Sequence, residues 1–198
     1  MNEEPITLSR TTAETTVSLS FAQRAKGRED VLIDTGLPFF DHMLTAMAFH
    51  GGFALSIKAR GDIAVDYHHL VEDTGLVLGD AFHRLLEQNG AVGRFGHAVI
   101  PMDDALAEAV IDAAERPCLV YQARFPQESC GNFPVALFKE FFSAFVQRSR
   151  INAHLLCRYG DNSHHMAEAL FKAFGKALSA AYAPRGGNRE DMSTKGAL

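Results

Sequence analysis

Residues 38–86 read PFFDHMLTAMAFHGGFALSIKARGDIAVDYHHLVEDTGLVLGDAFHRLL, and residues 134–182 repeat the same pattern as PVALFKEFFSAFVQRSRINAHLLCRYGDNSHHMAEALFKAFGKALSAAY. Each stretch opens with a proline and an amphipathic helical segment, and continues with a strand-like run that ends in Gly-Asp. The motif His-His-x-x-Glu then opens a second helix rich in Leu, Ala and Phe. Because these features occur in the same order in both stretches, the sequence predicts an old internal duplication.

Hydrophobic periodicity places the elements of each half. Apolar residues at helical spacing predict helices over residues 37–50 and 135–147, and a further helix is predicted from each His-His pair. Alternating patterns predict strands at residues 15–22, 31–33, 53–60, 98–101, 105–113, 119–125 and 153–159. Each half is thus expected to run β-β-α-β-α, with residues 1–92 and 93–198 as the two halves of one unit. This order favours an α+β fold in which the helices are packed between two sheets.

Composition and charge exclude several classes of partner. The chain has 198 residues, 47% of them hydrophobic, and a formal net charge of -5 at pH 7. This acidic balance predicts no nucleic-acid partner, and no apolar run approaches the roughly 18 residues that span a bilayer. The amino-terminal segment MNEEPITLSR is polar, and the three cysteines are scattered without CxxC spacing. These features predict a cytoplasmic protein with reduced thiols and no membrane contact.

The two His-His-x-x-Glu motifs form the main candidate site. On a helix, residues four apart share a face, so His68 and Glu72 are placed to hold one cation. The neighbouring His69 points well away from that direction, which suits two separate metals bound across the seam between the repeats. The second motif repeats this arrangement at His164, His165 and Glu168.

Two further residues, His42 and Glu140, occupy equivalent repeat positions on the first helix of each half. The complete set of candidate ligands is therefore His42, His68, His69, Glu72, Glu140, His164, His165 and Glu168. Imidazole and carboxylate donors suit Mn, Fe or Zn, and the lack of cysteine in this set disfavours a structural zinc. Four ligands per metal leave open positions for a substrate on an octahedral ion such as Mn²⁺.

Other polar residues carry weaker local signals. The candidates for a phosphate clamp are Arg94, Arg116, Lys172, Ser193 and Lys195. Each of them alone is typical of a solvated surface residue, and Glu14 has no distinctive local meaning. His50 ends a predicted helix, where the helix dipole favours a cation, so a structural role is as well supported as a role in a site. The histidines without such support, expected at the surface or in hydrogen-bonded core positions, are His83, His97 and His154.

Taken together, these motifs resemble those of the imidazoleglycerol-phosphate dehydratase family. The matching segments are residues 10–15, 37–44, 68–69, 72–75, 94–96, 101–106, 116–117, 141–142, 164–173 and 193–196. They cover nearly the whole chain in order. The chain departs from the family pattern at Tyr67 and Leu70, which replace an acid and a threonine, at residues 114–115, and at Glu140, where some members carry histidine. None of these departures removes a proposed ligand, but Tyr67 and Leu70 affect the surroundings of the first motif.

The resemblance implies an activity, a cofactor and an assembly. The activity is the dehydration of D-erythro-imidazole-glycerol phosphate to imidazole-acetol phosphate in L-histidine biosynthesis. It implies two Mn²⁺ per subunit, one for each ring nitrogen, which stabilise the ring as it expels hydroxide from the side chain. It also implies a fold like the second domain of ribosomal protein S5, and a large symmetric homo-oligomer of about 24 subunits whose tail closes a neighbouring site.

The resemblance further assigns roles to residues. Glu14 is the expected proton-transfer carboxylate, and Glu72 and Glu168 take part in catalysis as metal ligands. The residues expected to contact the substrate are Glu14, His42, His50, His68, Glu72 and Lys172, and those expected to hold its phosphate are Arg94, Arg116, Ser193 and Lys195.

Three alternatives share parts of this pattern. A two-metal phosphoester hydrolase would use the same ligands and basic residues with metal-bound hydroxide as nucleophile. A helical-bundle metal carrier or oxidase would use Glu-x-x-His motifs, but the intervening strands argue against a four-helix bundle. A non-catalytic relic would explain Tyr67 and Leu70 as marks of lost activity.

Overall fold

Two four-stranded sheets with the same topology form the outer layers of the protein. The structure is a computed structural model, and it describes residues 4–25 and 27–193. In chain order the strands are β1 (Ile6–Thr11), β2 (Thr15–Ala22), β3 (Val31–Asp34), β4 (Ala54–Gly61), β5 (Phe95–Met102), β6 (Ala105–Asp112), β7 (Cys118–Gln122), β8 (Ser129–Cys130), β9 (Phe133–Pro134) and β10 (Asn152–Tyr159). The first sheet has the order β1-β2-β4-β3 and the second the order β5-β6-β10-β7. In each sheet the last pair is parallel and the others are antiparallel, while β8 and β9 form a separate hairpin.

Four α-helices of the described chain fill the space between the sheets. They are α1 (Pro38–Gly51), α2 (His68–Asn89), α3 (Leu137–Ser149) and α4 (Ser163–Ala181). In the middle layer α2 packs on α3 and α1 packs on α4. The first sheet contacts α1 and α2, and the second sheet contacts α3 and α4. Each half therefore contributes one sheet and two helices, and the core lies where the two helix pairs meet.

The alternation of apolar and polar residues explains which sheet face is buried. In β2, Val17, Leu19 and Phe21 are fully buried, whereas Thr16 and Ser18 face outward. Antiparallel pairing places Leu19 opposite Ile57 of β4, so the apolar residues of both strands lie on the same face. Each such side chain contributes roughly 1.5–3 kcal/mol when it is removed from water.

Glycines let the helices of each pair approach closely. A Cβ atom added at Gly79 of α2 would lie 2.5 Å from the carbonyl oxygen of Phe145 in α3. At the other seam, a Cβ at Gly175 of α4 would lie 2.2 Å from the carbonyl oxygen of Met47 in α1. Since real Cβ atoms do not approach so closely, only glycine permits these helix crossings. The α1–α4 crossing also brings together the amino-terminal turns that carry candidate ligands.

The structure confirms the α+β class, the duplication and the placement of helices between two sheets. It adds one strand, β1, to the first half, whereas the three strands before α3 in the sheet of the second half were all predicted. The order in both halves is therefore β-β-β-α-β-α, with the small β8–β9 hairpin inserted in the second half. The additional strand of the first half is β1, an edge strand in which only Ile6 is buried, and its polar composition gives no alternating apolar signal. The predicted strand at residues 119–125 ends at Gln122.

Two remaining expectations concern the division of the chain and membranes. The boundary between residues 92 and 93 stays a prediction, and Val92 forms a bridge with Pro184, which ties the end of the first half to the end of the second. Within the described residues, no helix combines the length and apolar character needed to cross a membrane.

Replacing Gly79 by alanine tests the close approach of α2 and α3. We expect Gly79→Ala to lower the free energy of unfolding by about 1–3 kcal/mol, because overpacking outweighs the better helix propensity of alanine. The control is Gly186→Ala, where no atom lies within 4 Å of the added Cβ. Urea unfolding measures both variants, and equal midpoints for Gly79→Ala and wild type would contradict this packing.

Candidate active site

Three candidate ligands meet at the seam between α1 and α4. His42 Nε2 lies 3.3 Å from Glu168 Oε2, and His164 Nε2 lies 3.3 Å from the same oxygen. One ligand atom from each of the three residues lies within 4.8 Å of the other two. Two imidazole nitrogens and one carboxylate oxygen at this separation form a donor set that suits a divalent transition metal.

Local structure presents these side chains on two helix starts. His42 lies in the first turns of α1, which begins at Pro38, a favourable first residue of a helix. The side chain of Asn162 accepts the backbone N–H of His164 at 2.8 Å and so caps α4. The ring of Phe39 meets the His164 ring edge-on with 5.1 Å between centroids. The cap and the aromatic contact together hold His164 on the side of α4 that faces His42.

Lys172 keeps the Glu168 carboxylate charged. Glu168 is 12% exposed, and its burial raises the pKa of the carboxyl group. The bond from Lys172 Nζ to Glu168 Oε1, 2.7 Å long, and the nearby His42 outweigh this effect, so the pKa of Glu168 is lowered. A carboxylate that stays ionised is the form that binds a cation.

His50 lies at the carboxyl end of α1, and its pKa is shifted in the direction opposite to the one that the helix end favours. The helix end favours a cationic imidazole, but burial, followed by the charges of Lys172 and Lys176, lowers the pKa of His50. The neutral form of this histidine is therefore favoured near Lys172.

The equivalent candidate ligands of the first half lie farther apart. His68 Nε2 lies 3.7 Å from Glu72 Oε2, one turn apart on α2 as predicted. Glu140 lies on the adjacent helix α3. Among the described residues these three do not come as close together as His42, His164 and Glu168 do. The duplicated ligand sets are thus unequal within one chain.

The second histidine of each pair is oriented by an aspartate that sequence reasoning missed. His69 Nδ1 lies 3.1 Å from Asp62 Oδ2, and His165 Nδ1 lies 2.5 Å from Asp104 Oδ1. The bond to Asp62 raises the pKa of His69, and the bond to His165 lowers the pKa of Asp104 to about 2. Since a carboxylate only accepts, Nδ1 carries the proton and Nε2 is left as the ligand atom. The sequence showed Asp62 only as part of a turn.

Two residues of the predicted phosphate clamp converge on Asp112. Arg94 Nε donates to Asp112 Oδ1 at 2.8 Å, and Arg116 Nη2 lies 3.4 Å from Asp112 Oδ2. Arg94 Nη1 also donates to the carbonyl oxygen of Met192 at 2.5 Å, which places Ser193 beside this group. Asp112 was not predicted from the sequence. The last predicted member of the clamp, Lys195, lies outside the described residues.

Within one chain the two arginines of the predicted phosphate clamp lie far from the candidate metal ligands, whereas Lys172 contacts Glu168. The backbone N–H of Arg94 donates to the carbonyl of Ala181 at the carboxyl end of α4, while His164 and Glu168 lie in its first turns. Glu168, the candidate ligand nearest that end, lies 13 residues before Ala181, which at about 1.5 Å per residue is a separation of roughly 20 Å along the helix. The two groups therefore cannot contact one small molecule in the same chain.

A cavity of about 910 Å³ opens beside His42 and His164. The Tyr67 ring contributes to its wall and stacks on Phe133 with 6.4 Å between centroids. Leu70, the other departure from the family pattern, is fully buried and packs near Gly61. Tyr67 and Leu70 therefore both pack against neighbouring side chains or backbone, and neither occupies the position of a candidate ligand.

Comparison with known proteins agrees with this geometry. A family model described as imidazoleglycerol-phosphate dehydratase matches residues 35–178, which include both His-His pairs. The chain belongs to this family. The imidazoleglycerol-phosphate dehydratase of Gluconobacter oxydans is 47% identical over 193 residues, covering 96% of both chains. That of Pelobacter propionicus is 45% identical over 192 residues, covering 97% of both.

Solved structures of the family share the fold. The imidazoleglycerol-phosphate dehydratase from Staphylococcus aureus superposes with a TM-score of 0.82 at 35% identity, covering 91% of this chain and 99% of that one. The Pyrococcus furiosus protein gives a TM-score of 0.81 at 35% identity, covering 96% and 100%. Membership of the imidazoleglycerol-phosphate dehydratase family confirms the resemblance and identifies the chain as a dehydratase, an enzyme of the hydro-lyase class.

Replacing His164 tests the metal-binding capacity of the α1–α4 cluster. We expect His164→Ala to weaken Mn²⁺ binding by about 100-fold or more, because a direct ligand is lost where outer partners alone change affinity 10- to 100-fold. His154→Ala is the matched control, since His154 is exposed on β10 and lies outside the cluster. Electron paramagnetic resonance of free Mn²⁺ gives the affinities, and equal affinities for the two variants would remove His164 from the ligand set.

Proposed function

We propose that this chain catalyses the Mn²⁺-dependent dehydration of D-erythro-imidazole-glycerol phosphate to imidazole-acetol phosphate, a step of L-histidine biosynthesis. The observation that carries the proposal is the cluster of His42, His164 and Glu168 in a chain of this family. A cytoplasmic location belongs to the same proposal.

The donors of the cluster fit Mn²⁺. Two imidazoles and one carboxylate leave open positions on an octahedral ion. A second Mn²⁺ would be held by the equivalent residues of the first half, His68, Glu72 and Glu140. His69 and His165, whose Nε2 atoms are left as ligand atoms, would complete the sites, giving two Mn²⁺ per subunit. When bound, Mn²⁺ supplies positive charge at the imidazole ring nitrogens, which stabilises the ring as hydroxide departs.

The chain's own residues supply binding and proton transfer. Loss of water breaks one C–O bond and one C–H bond of the side chain, and the resulting enol rearranges to the ketone. Glu14 is the base for the C–H proton, because its carboxylate lies beside the ligand His69, with 3.7 Å between Oε2 and Nδ1. Lys172 keeps Glu168 ionised and lies close enough to the cluster to contact the substrate. Arg94 and Arg116 would exchange Asp112 for the substrate phosphate, and Ser193 and Lys195 are the further residues expected to bind it.

The separation of ring and phosphate groups requires more than one subunit. The substrate consists of a ring, three carbons and a phosphate, which is too short to bridge the roughly 20 Å along α4 between Glu168 and Ala181. The active site is therefore composite, with metal ligands from one copy and the arginine pair from another. This composite site supports the large symmetric homo-oligomer of about 24 subunits expected from the family.

The first test is turnover of imidazole-glycerol phosphate by metal-stripped protein, with and without Mn²⁺. We expect ketone only with Mn²⁺, and Glu14→Gln should lower kcat by about 10²–10⁴-fold at full metal loading, since a proton-transfer group is lost. Glu87→Gln is the control, because Glu87 is similarly exposed and also lies 3.7 Å from a histidine, His83. Absence of ketone from folded, loaded protein would reject the dehydratase, and phosphate release without ketone would favour the phosphoester hydrolase.

The second test is subunit complementation. Arg116→Ala removes an exposed phosphate contact from one chain, and Glu168→Ala removes a metal ligand from another. Each variant alone should be nearly inactive. Mixing them before Mn²⁺ is added should restore up to about a quarter of wild-type turnover. In random assembly, about half of the sites take their metal ligands from an Arg116→Ala chain, and about half of those take their arginines from a Glu168→Ala chain. Mixing after assembly provides the control, and no recovery in either order would contradict a site shared between subunits.

A further inference from the structure

The duplication places a carboxylate residue at the same position in both halves, directly before β2 and β6. These residues are Glu14 and Asp104. Both side chains approach the Nδ1 atom of the second histidine of a pair, His69 in the first half and His165 in the second. The two positions are equivalent in the fold, but their contacts differ.

In the second half Asp104 is fully engaged. Its Oδ1 accepts from His165 Nδ1 at 2.5 Å, and its Oδ2 accepts the backbone N–H groups of Asp161 and Asn162 at 2.6 and 3.1 Å. A carboxylate with three donors is rigid and weakly basic, because each donor stabilises the charged form. Asp104 is thus suited to orient His165 and unsuited to take a proton from carbon.

In the first half a different residue orients the histidine. Asp62, from the turn after β4, lies 3.1 Å from His69 Nδ1, whereas the carboxylate of Glu14 stays at 3.7 Å. The segment between β4 and α2 spans residues 62–67, and the equivalent segment between β10 and α4 spans only residues 160–162. The longer segment gives Asp62 room to lie under His69, and the Asp62 N–H also donates to the Glu14 carbonyl at 3.2 Å.

As a result the Glu14 carboxylate is available. It is 54% exposed, and no donor in the described part of the chain lies within hydrogen-bonding distance of its oxygens. Its backbone is nevertheless held in place, because its N–H donates to Thr12 Oγ1 at 3.1 Å. A fixed backbone with an unengaged carboxylate is the arrangement that a proton-transfer group requires.

We propose that Asp62 is a positioning residue, which orients His69 in place of Glu14 and so leaves the Glu14 carboxylate for proton transfer. Asp104 performs the orienting role in the second half, so the duplicated enzyme has two oriented histidines and one unengaged carboxylate. This inference rests on the proposed function for the role of Glu14. The orienting role itself is a property of metal binding and is measured without substrate.

The test compares Asp62→Ala with Asp104→Ala. Without Asp62, the Glu14 carboxylate moves onto His69, so we expect kcat at saturating Mn²⁺ to fall about 10- to 100-fold while the Mn²⁺ Kd changes less than about threefold. Without Asp104, His165 lacks a substitute on Nδ1, so Mn²⁺ binding should weaken about 10- to 100-fold. Asp62→Asn keeps an acceptor oxygen for His69 and should restore most of kcat.

A double variant separates orientation from general structural damage. Asp62→Ala combined with Glu14→Ala removes the two carboxylates that lie within 4 Å of His69 Nδ1 and leaves no amide oxygen in their place. Its Mn²⁺ affinity should fall about 10- to 100-fold, as for Asp104→Ala. Glu14→Ala alone should bind Mn²⁺ as wild type does. Circular dichroism and thermal unfolding confirm that each variant is folded.

Two outcomes would overturn the inference. In one, Asp62→Ala keeps wild-type kcat, which would show that Asp62 does not protect Glu14. In the other, Asp62→Ala alone weakens Mn²⁺ binding as much as the double variant, which would show that Glu14 does not replace it. If wild type forms no ketone, the proposed function fails, and the Mn²⁺ titrations still decide the orienting role.

Discussion

The close crossing of α1 and α4 is the contact on which the candidate site depends. Gly175 permits it, because a side chain at this position would collide with the carbonyl oxygen of Met47. Glu168 lies about two turns towards the amino end of α4, and at that level His42 of α1 faces it. A wider crossing would separate the His42 imidazole from His164 and Glu168, which share one face of α4, and the three candidate ligands would no longer meet. The close packing of the two helix backbones therefore determines whether the three candidate ligands can meet.

The duplicated halves keep one topology but differ in function. Both sheets have the same strand order and both carry a His-His-x-x-Glu helix. The second half draws its histidine and glutamate together with His42, while the first half leaves its equivalent ligands apart. A longer segment before α2 also brings a new aspartate to His69. Duplication thus supplied two sets of candidate ligands, and a difference in loop length gave them different surroundings.

Ion pairs and hydrogen bonds to carboxylates organise the candidate metal ligands and the arginine pair. Lys172 holds Glu168 ionised, Asp62 and Asp104 orient histidines, and Asp112 gathers the two arginines. Each carboxylate fixes a cationic or donor group before any ligand is bound, which reduces the reorganisation that binding requires. The candidate metal ligands and the arginine pair lie near opposite ends of α4, and this separation is the basis of the proposed shared site.

Local patterns in the sequence were enough to predict the four helices, most of the strands, the duplication and the candidate ligands. These features are local: a period of two marks β2, a period of 3.6 marks α1, and the four-residue spacing of His164 and Glu168 places both on one helix face. The edge strand β1 was not predicted, because most of its residues are exposed and show no alternation of apolar and polar residues. Three contacts could be read from the three-dimensional structure alone: α1 packs on α4, Asp104 contacts His165, 61 residues away in the chain, and Asp112 pairs with two arginines. Those contacts join segments far apart in the chain, and local periodicity carries no information about which distant segments pack together.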